Sequence, residues 1–120
     1  MALQQLTPIL WVTSLELTLQ YYVDVLEFKV LKTDPTAGWA IVQRDEVELM
    51  FSLPNHHVPM MESRFTGSFY FRANPVEPLW EALKDKASIV YPLEQFEYGM
   101  KEFCIRDCNG YLLQFGEEIQ

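Results

Sequence analysis

The sequence predicts an α+β fold: two βαβββ modules whose curled mixed sheets surround a cavity. Three observations predict it. The order strand, helix, three strands occurs twice, as an internal repeat of roughly 55 residues in pattern rather than in identity. Each half carries a helix-start signal just after its first strand, Ser14 in one and Asn74-Pro75 in the other. The segment from Tyr98 to Glu117 alternates apolar and polar residues around Asn109-Gly110, as two strands joined by a tight hairpin do. One helix covers one face of each sheet. The other face has to be buried elsewhere, and two facing curled sheets would enclose a cavity.

The elements follow in order. Pro8 to Thr13 reads as a strand. Ser14 caps the next helix, with Glu16 in its first turn. Leu15, Leu19, Tyr22 and Leu26 repeat at three and four and form its apolar face. Phe28 to Leu31 reads as the second strand, and Asp34-Pro35-Thr36-Ala37-Gly38 as a turn. Trp39 to Gln43 and Val47 to Ser52 are the third and fourth strands, joined through Arg44-Asp45-Glu46. Residues 54–65 hold two prolines and the adjacent His56 and His57, and read as a linker between modules 1–53 and 66–120. Ser68 to Ala73 opens the second module. Asn74 as cap, Pro75 at the first helical position and Glu77 three after the cap predict the second helix. Val76, Leu79, Trp80 and Leu83 form its apolar face. Ser88 to Tyr91 is a strand, Pro92 to Gly99 a loop, Glu102 to Arg106 a strand. Asn109-Gly110 predicts a type I′ turn, with both residues at positive φ, and Tyr111 to Phe115 is the last strand.

Composition excludes several function classes. The chain has 120 residues, enough for one domain with a core, and 49% of them are hydrophobic, which argues against disorder. No apolar run approaches the roughly 20 residues of a membrane span. Residues 1–7 lack the basic-then-apolar pattern of a secretion signal, so a cytoplasmic location is expected. The net charge of −8 argues against a nucleic-acid surface, which needs clustered Lys and Arg, and is compatible with a cationic ligand. Cys104 and Cys108 read as reduced thiols: two cysteines with no His in their segment are too few for a metal site. His56 and His57 point different ways in most backbones and read as solvated loop residues.

The duplicated pattern resembles the vicinal oxygen chelate superfamily, which includes glyoxalase I, extradiol dioxygenases, and fosfomycin- and bleomycin-resistance proteins. The resemblance rests on four segments. In Pro8 to Phe28, Tyr21-Tyr22 and Leu26-Glu27-Phe28 stand where the family often has Phe-Tyr and Leu-Gly-Phe. The others are Val47 to Phe51, Gly67 to Leu83 and Tyr98 to Glu117. The family's enzymes place a metal ligand (His, Gln or Glu) on each of four strands. Aligned on those motifs, the four positions fall on Thr7, Glu48, Ser68 and Gln114. Only Glu48 is an ordinary ligand for a hard divalent cation. Gln114 is a weak neutral one, where Glu is usual. The resemblance therefore implies the bleomycin-resistance-like branch: a homodimer that binds and sequesters a small molecule, with no metal and no other cofactor.

Strand alternation then selects the ligand-facing residues. If Thr7, Ser68 and Gln114 face inward, so do Ile9 and Trp11, Glu48 and Met50, Tyr70 and Arg72, and Leu112. Trp39, Phe96 and Tyr98 add stacking surface. Leu10, Val12, Phe69, Phe71, Tyr111, Leu113 and Phe115 then face the helices. The expected ligand contacts are Trp11, Trp39, Glu48, Met50, Ser68, Tyr70, Arg72, Tyr98, Leu112 and Gln114, around a cationic or aromatic molecule. Glu48, Glu102 and Arg106 are the available acid–base groups, with solvated strand residues as the plainer reading of each. The alternative function is a metal-dependent lyase or dioxygenase with an atypical ligand set.

Overall fold

A computed structural model of the chain describes residues 2–54, 62 and 67–120. His56, His57 and most of the linker lie outside the described residues. The chain divides into two compact units, Met1–Met61 and Glu62–Gln120. Each carries one four-stranded mixed sheet and one helix.

In the first unit, β1 (Ile9–Trp11) leads to α1 (Leu15–Asp24), then to β2 (Lys29–Asp34), β3 (Trp39–Arg44) and β4 (Val47–Ser52). The sheet order is β1-β4-β3-β2, with β1 parallel to β4 and the other pairs antiparallel. Ser14 caps α1 as its sequence position predicts: its hydroxyl accepts from the Leu17 N–H at 3.2 Å. The helix presents Tyr22 to the sheet, where its ring meets Phe51 at 4.6 Å and Phe28 at 5.5 Å between centroids. Leu10, Val12, Ala40, Val42, Leu49 and Phe51 are buried with it. After the helix, Glu27 takes the left-handed conformation (φ 57°), at the position where the resemblance expects glycine.

In the second unit, β5 (Phe69–Arg72) leads to α2 (Glu77–Leu83), then to β6 (Ser88–Gln95), β7 (Met100–Arg106) and β8 (Leu112–Glu118). The order β5-β8-β7-β6 repeats that of the first sheet. Trp80 of α2 packs on Phe103, Phe103 stacks on Phe115, and Phe115 on Phe71, with centroids 5.0–5.2 Å apart. This ladder marks the helix-facing side. Leu113 and Ile105 are buried and share it by alternation.

Three expectations need correction. Asn74 does not cap α2. The cap is Val76, which has no side-chain oxygen, and its N–H is satisfied by the Glu117 carboxylate of β8 at 2.8 Å. A long-range acceptor thus replaces the local one. Pro92 does not end the sixth strand, since β6 runs on to Gln95. The strand is at the sheet edge and its pairing slips between Tyr91 and Glu94, so the missing proline N–H breaks no regular ladder. The hairpin at Asn109-Gly110 is not type I′: Gly110 has φ 90°, but Asn109 is not at positive φ. The Asp107 carboxylate accepts from the N–H groups of Asn109 and Tyr111, both at 2.8 Å, and organises a three-residue loop ending in a left-handed glycine.

Candidate functional site: a buried glutamate under two tyrosines

The side of the second sheet away from α2 carries most of the chemistry. Register places Tyr70, Gln114, Cys104 and Tyr91 in one row across β5, β8, β7 and β6. The next row holds Arg72, Gly116, Glu102 and Glu94. Glu102 is 1% exposed. A carboxylate so buried needs hydrogen bonds to offset its desolvation, and donors from three strands converge on it. Tyr70 donates to Oε1 at 3.0 Å, while Tyr91 and the Gln114 amide donate to Oε2, the amide at 3.2 Å. The amide nitrogen also donates to the Tyr91 oxygen at 2.7 Å. Ser68 donates to the Gln114 carbonyl oxygen and ends the chain.

Two backbone features make this convergence possible. Gly116 stands between Tyr70 and Glu102. A Cβ there would lie 1.9 Å from the Tyr70 hydroxyl oxygen and 2.6 Å from the ring carbon that bears it. Only the bare backbone lets the phenol cross β8 to reach β7. The second feature is the slip in β6. Ile89 pairs with Ile105 but Tyr91 pairs with Cys104, so Val90 is an extra residue. Residues two apart normally share a face. The bulge breaks that rule and turns Tyr91 onto the polar side.

The electrostatics follow from this packing. The Tyr70 phenol is pushed up to about 12, first by burial and then by its bond to Glu102. The residue is 39% exposed overall, yet its hydroxyl end lies over Gly116 against Glu102. Tyr91 is raised by the same two causes. Burial, then the Glu102 charge, raises the Cys104 thiol. Both tyrosines thus keep their protons and serve as donors to Glu102. Beside them, Tyr98 stacks on Phe96 at 5.3 Å, and Phe96 meets Tyr91 edge-on at 5.6 Å.

Of the residues picked from sequence, Ser68, Tyr70 and Gln114 are joined in this network. Tyr98 is exposed at its edge. Arg72 is exposed, with its guanidinium 6.0 Å from the Tyr70 ring centroid. Leu112 is half-buried, next but one to Gln114 along β8. Trp11, Trp39, Glu48 and Met50 belong to the first unit. There Ser52 pairs with both Trp11 and Trp39, and Met50 pairs with Ile9 and Ile41, all on the side away from Tyr22 and Phe51. Glu48 accepts from Gln5 at 2.6 Å and Thr7 at 2.9 Å. Arg106, weighed as an acid–base group, instead braces its own hairpin through the Gly110 carbonyl at 3.4 Å. Tyr91 and Gly116 escaped the sequence reading. A glycine inside a strand hints at close approach of another group, but nothing local marks the bulge.

The family's four metal positions do not suit a metal. Thr7 and Ser68 offer hydroxyls already engaged as donors, and the Gln114 amide is held by Tyr91 and Glu102. Glu48 is the one anion among the four. A hard divalent cation binds through several anionic oxygens or imidazoles, so this donor set does not fit one.

Comparison with solved structures shows the same fold. The chain is similar to TioX from Micromonospora sp. ML1, at 19% identity and a TM-score of 0.80, over 97% of this chain and 99% of that one. It is equally similar (TM-score 0.80, 18% identity, 99% and 97% covered) to a protein of unknown function from Agrobacterium tumefaciens. A lactoylglutathione lyase from Agrobacterium tumefaciens matches at 17% identity and TM-score 0.73, over 95% and 92%. No curated protein matches the sequence. Among the described residues no helix is long and apolar enough to cross a membrane. The family model of the glyoxalase/bleomycin resistance protein/dioxygenase superfamily matches residues 3–115, and the chain belongs to that superfamily.

Proposed function

We propose that the protein binds and sequesters a small cationic or aromatic molecule without a metal. The observation that carries this reading is the Ser68–Gln114–Tyr91–Glu102–Tyr70 network, a fixed array of polar atoms with an aromatic edge at Phe96 and Tyr98. Small-molecule sites need such a combination: apolar surface with a few polar groups held in place. Tyr70 and Ser68 offer the polar contacts, and Tyr98, Arg72 and Leu112 flank them. In the first unit, Trp11, Trp39 and Met50 offer a second, more apolar surface beside Glu48. A cytoplasmic homodimer is part of the proposal, supported by resemblance to the sequestering branch. The acidic charge favours cationic ligands and argues against nucleic acid as a partner.

The test is mass spectrometry on the purified protein, native for bound organic molecules and elemental for metals. The proposal expects a bound or exchangeable small molecule, lost in Tyr70→Ala, and no stoichiometric transition metal. Tightly held Ni, Mn, Fe or Zn, together with a lyase or dioxygenase turnover abolished by chelator and by Glu48→Ala, would overturn it in favour of a metal-dependent enzyme.

A further inference from the structure

The direction of every hydrogen bond in the network can be assigned from one end. Glu102 is the anchor, because its carboxylate only accepts. Its oxygen lies 3.2 Å from the Gln114 side chain, so the atom facing it is the amide nitrogen; the flipped amide would set oxygen against oxygen. That choice turns the Gln114 carbonyl oxygen toward Ser68. Ser68 therefore spends its only proton on Gln114. Tyr70 and Tyr91 spend theirs on Glu102. What Ser68 and Tyr70 have left to offer is lone pairs. Each bond in the series also polarises the next toward the buried carboxylate, which makes those lone pairs better acceptors.

We infer that the ligand meets this face as a hydrogen-bond donor, through an ammonium, amidinium or guanidinium group whose N–H is accepted by Ser68 Oγ or by Tyr70 Oη. The inference rests on the binding reading above and narrows it to a ligand class. Tyr98 and Phe96, stacked within 9° of parallel, supply a flat aromatic neighbour, and an exposed phenol ring face attracts a cation. Gly116 and Glu102 set the specificity without touching the ligand. Gly116 admits the Tyr70 phenol, and Glu102 consumes its proton. A carboxylate or phosphate ligand meets the wrong polarity at both oxygens, each of which has no proton left to give. Arg72 pulls the other way, since its guanidinium lies over the Tyr70 ring, so the choice between donor and acceptor ligands can be measured.

The experiment uses two fragments of the same shape and opposite polarity, benzamidine (protonated at pH 7) and benzoate. Each is titrated into the full-length protein, followed by NMR at the Gln114 side-chain amide and the backbone N–H groups of Ser68 and Tyr70. Benzamidinium is expected to shift these signals and to bind about tenfold or more tightly than benzoate, as about 1.4 kcal/mol of polarity mismatch would give. Ser68→Ala, a half-buried change that leaves the core alone, is expected to weaken benzamidinium several-fold while the rest of the spectrum stays put. Glu102→Gln, which returns a proton to the network, should narrow the gap between the two fragments. Benzoate binding at these residues as tightly as benzamidinium would overturn the polarity inference and leave the binding face standing. Shifts from neither fragment would overturn both.

Discussion

Replacing Gly116 by alanine is the most direct test of how the site is built. The new Cβ would lie 1.9 Å from the Tyr70 hydroxyl oxygen and 2.6 Å from its ring carbon, closer than atoms can come. The backbone of β8 is held on both sides by β5 and β7. Tyr70 is at a sheet edge and 39% exposed, so the phenol gives way. It swings off β8, and Glu102 loses one of its donors. A hydrogen bond to a charged group contributes about 1.5–3 kcal/mol. Alanine in a strand regains roughly 0.5–1 kcal/mol over glycine. The net expected loss is about 1–2 kcal/mol, read from urea denaturation with an unchanged m-value. The decisive form is a double-mutant cycle. In a Tyr70→Ala background nothing opposes the new methyl, and Gly116→Ala should be neutral or stabilising. The coupling between the two sites is then about 1.5–3 kcal/mol. An equal cost of Gly116→Ala in both backgrounds would refute the idea that the glycine exists to admit the phenol.

Two further outcomes follow from the same geometry. The Tyr70 phenol is raised from 10 to about 12 in the fold, so the folded protein holds that proton more tightly than the unfolded chain does. Its contribution to stability is fully present below pH 10 and declines as pH rises from 10 to about 12. Denaturation measured across that window should lose stability, and Tyr70→Phe should flatten the decline; an identical slope in the variant would contradict the assignment. Glu27 sits at φ 57°, a conformation that costs a residue with a Cβ about 1 kcal/mol or slightly more. Glu27→Gly should raise stability by up to about 1 kcal/mol, since the 3.8 Å ion pair it forfeits with Arg44 is solvent-exposed and contributes little. A destabilised variant in thermal melts would show that the ion pair outweighs the strain.

Much of the fold was legible because its signals are local. Ser14 caps α1 through its own side chain, and the Val47 to Ser52 strand shows its alternation in six residues. The buried faces of β1 and β8 follow from alternation alone, with Leu10, Val12, Leu113 and Phe115 inside. The misses arise where the surroundings replace the simplest local signal. The Asn74 cap loses to Glu117, more than 40 residues away. The type I′ turn loses to Asp107, whose carboxylate holds two N–H groups of the loop. Pro92 reads as a strand breaker unless the strand is known to be an edge strand with slipped pairing. The site suffered most from this last point. Tyr91 faces Glu102 only because Val90 bulges, and no composition rule predicts which residue of an edge strand will bulge.

Gln114 has a role in the structure that its place in the sequence does not carry. Its place in the superfamily's motif marks a carboxylate that is missing. The structure shows why a carboxylate would be hard to keep there. The amide nitrogen of Gln114 is 3.2 Å from Glu102. A glutamate in its place would set two carboxylates at that distance in a buried site, and like charges so close force one of them to hold a proton. The amide resolves this by presenting a donor to Glu102 on one side and an acceptor to Ser68 on the other. Glu102 in turn lies two residues before Cys104, the register partner of Gln114 on β7. The negative charge on this face sits on the neighbouring strand β7. There two phenols and an amide donate to it. A side chain that looks like a lost ligand is the switch point of a hydrogen-bond chain, and the chain runs from Ser68 at its outer end to a glutamate that solvent does not reach.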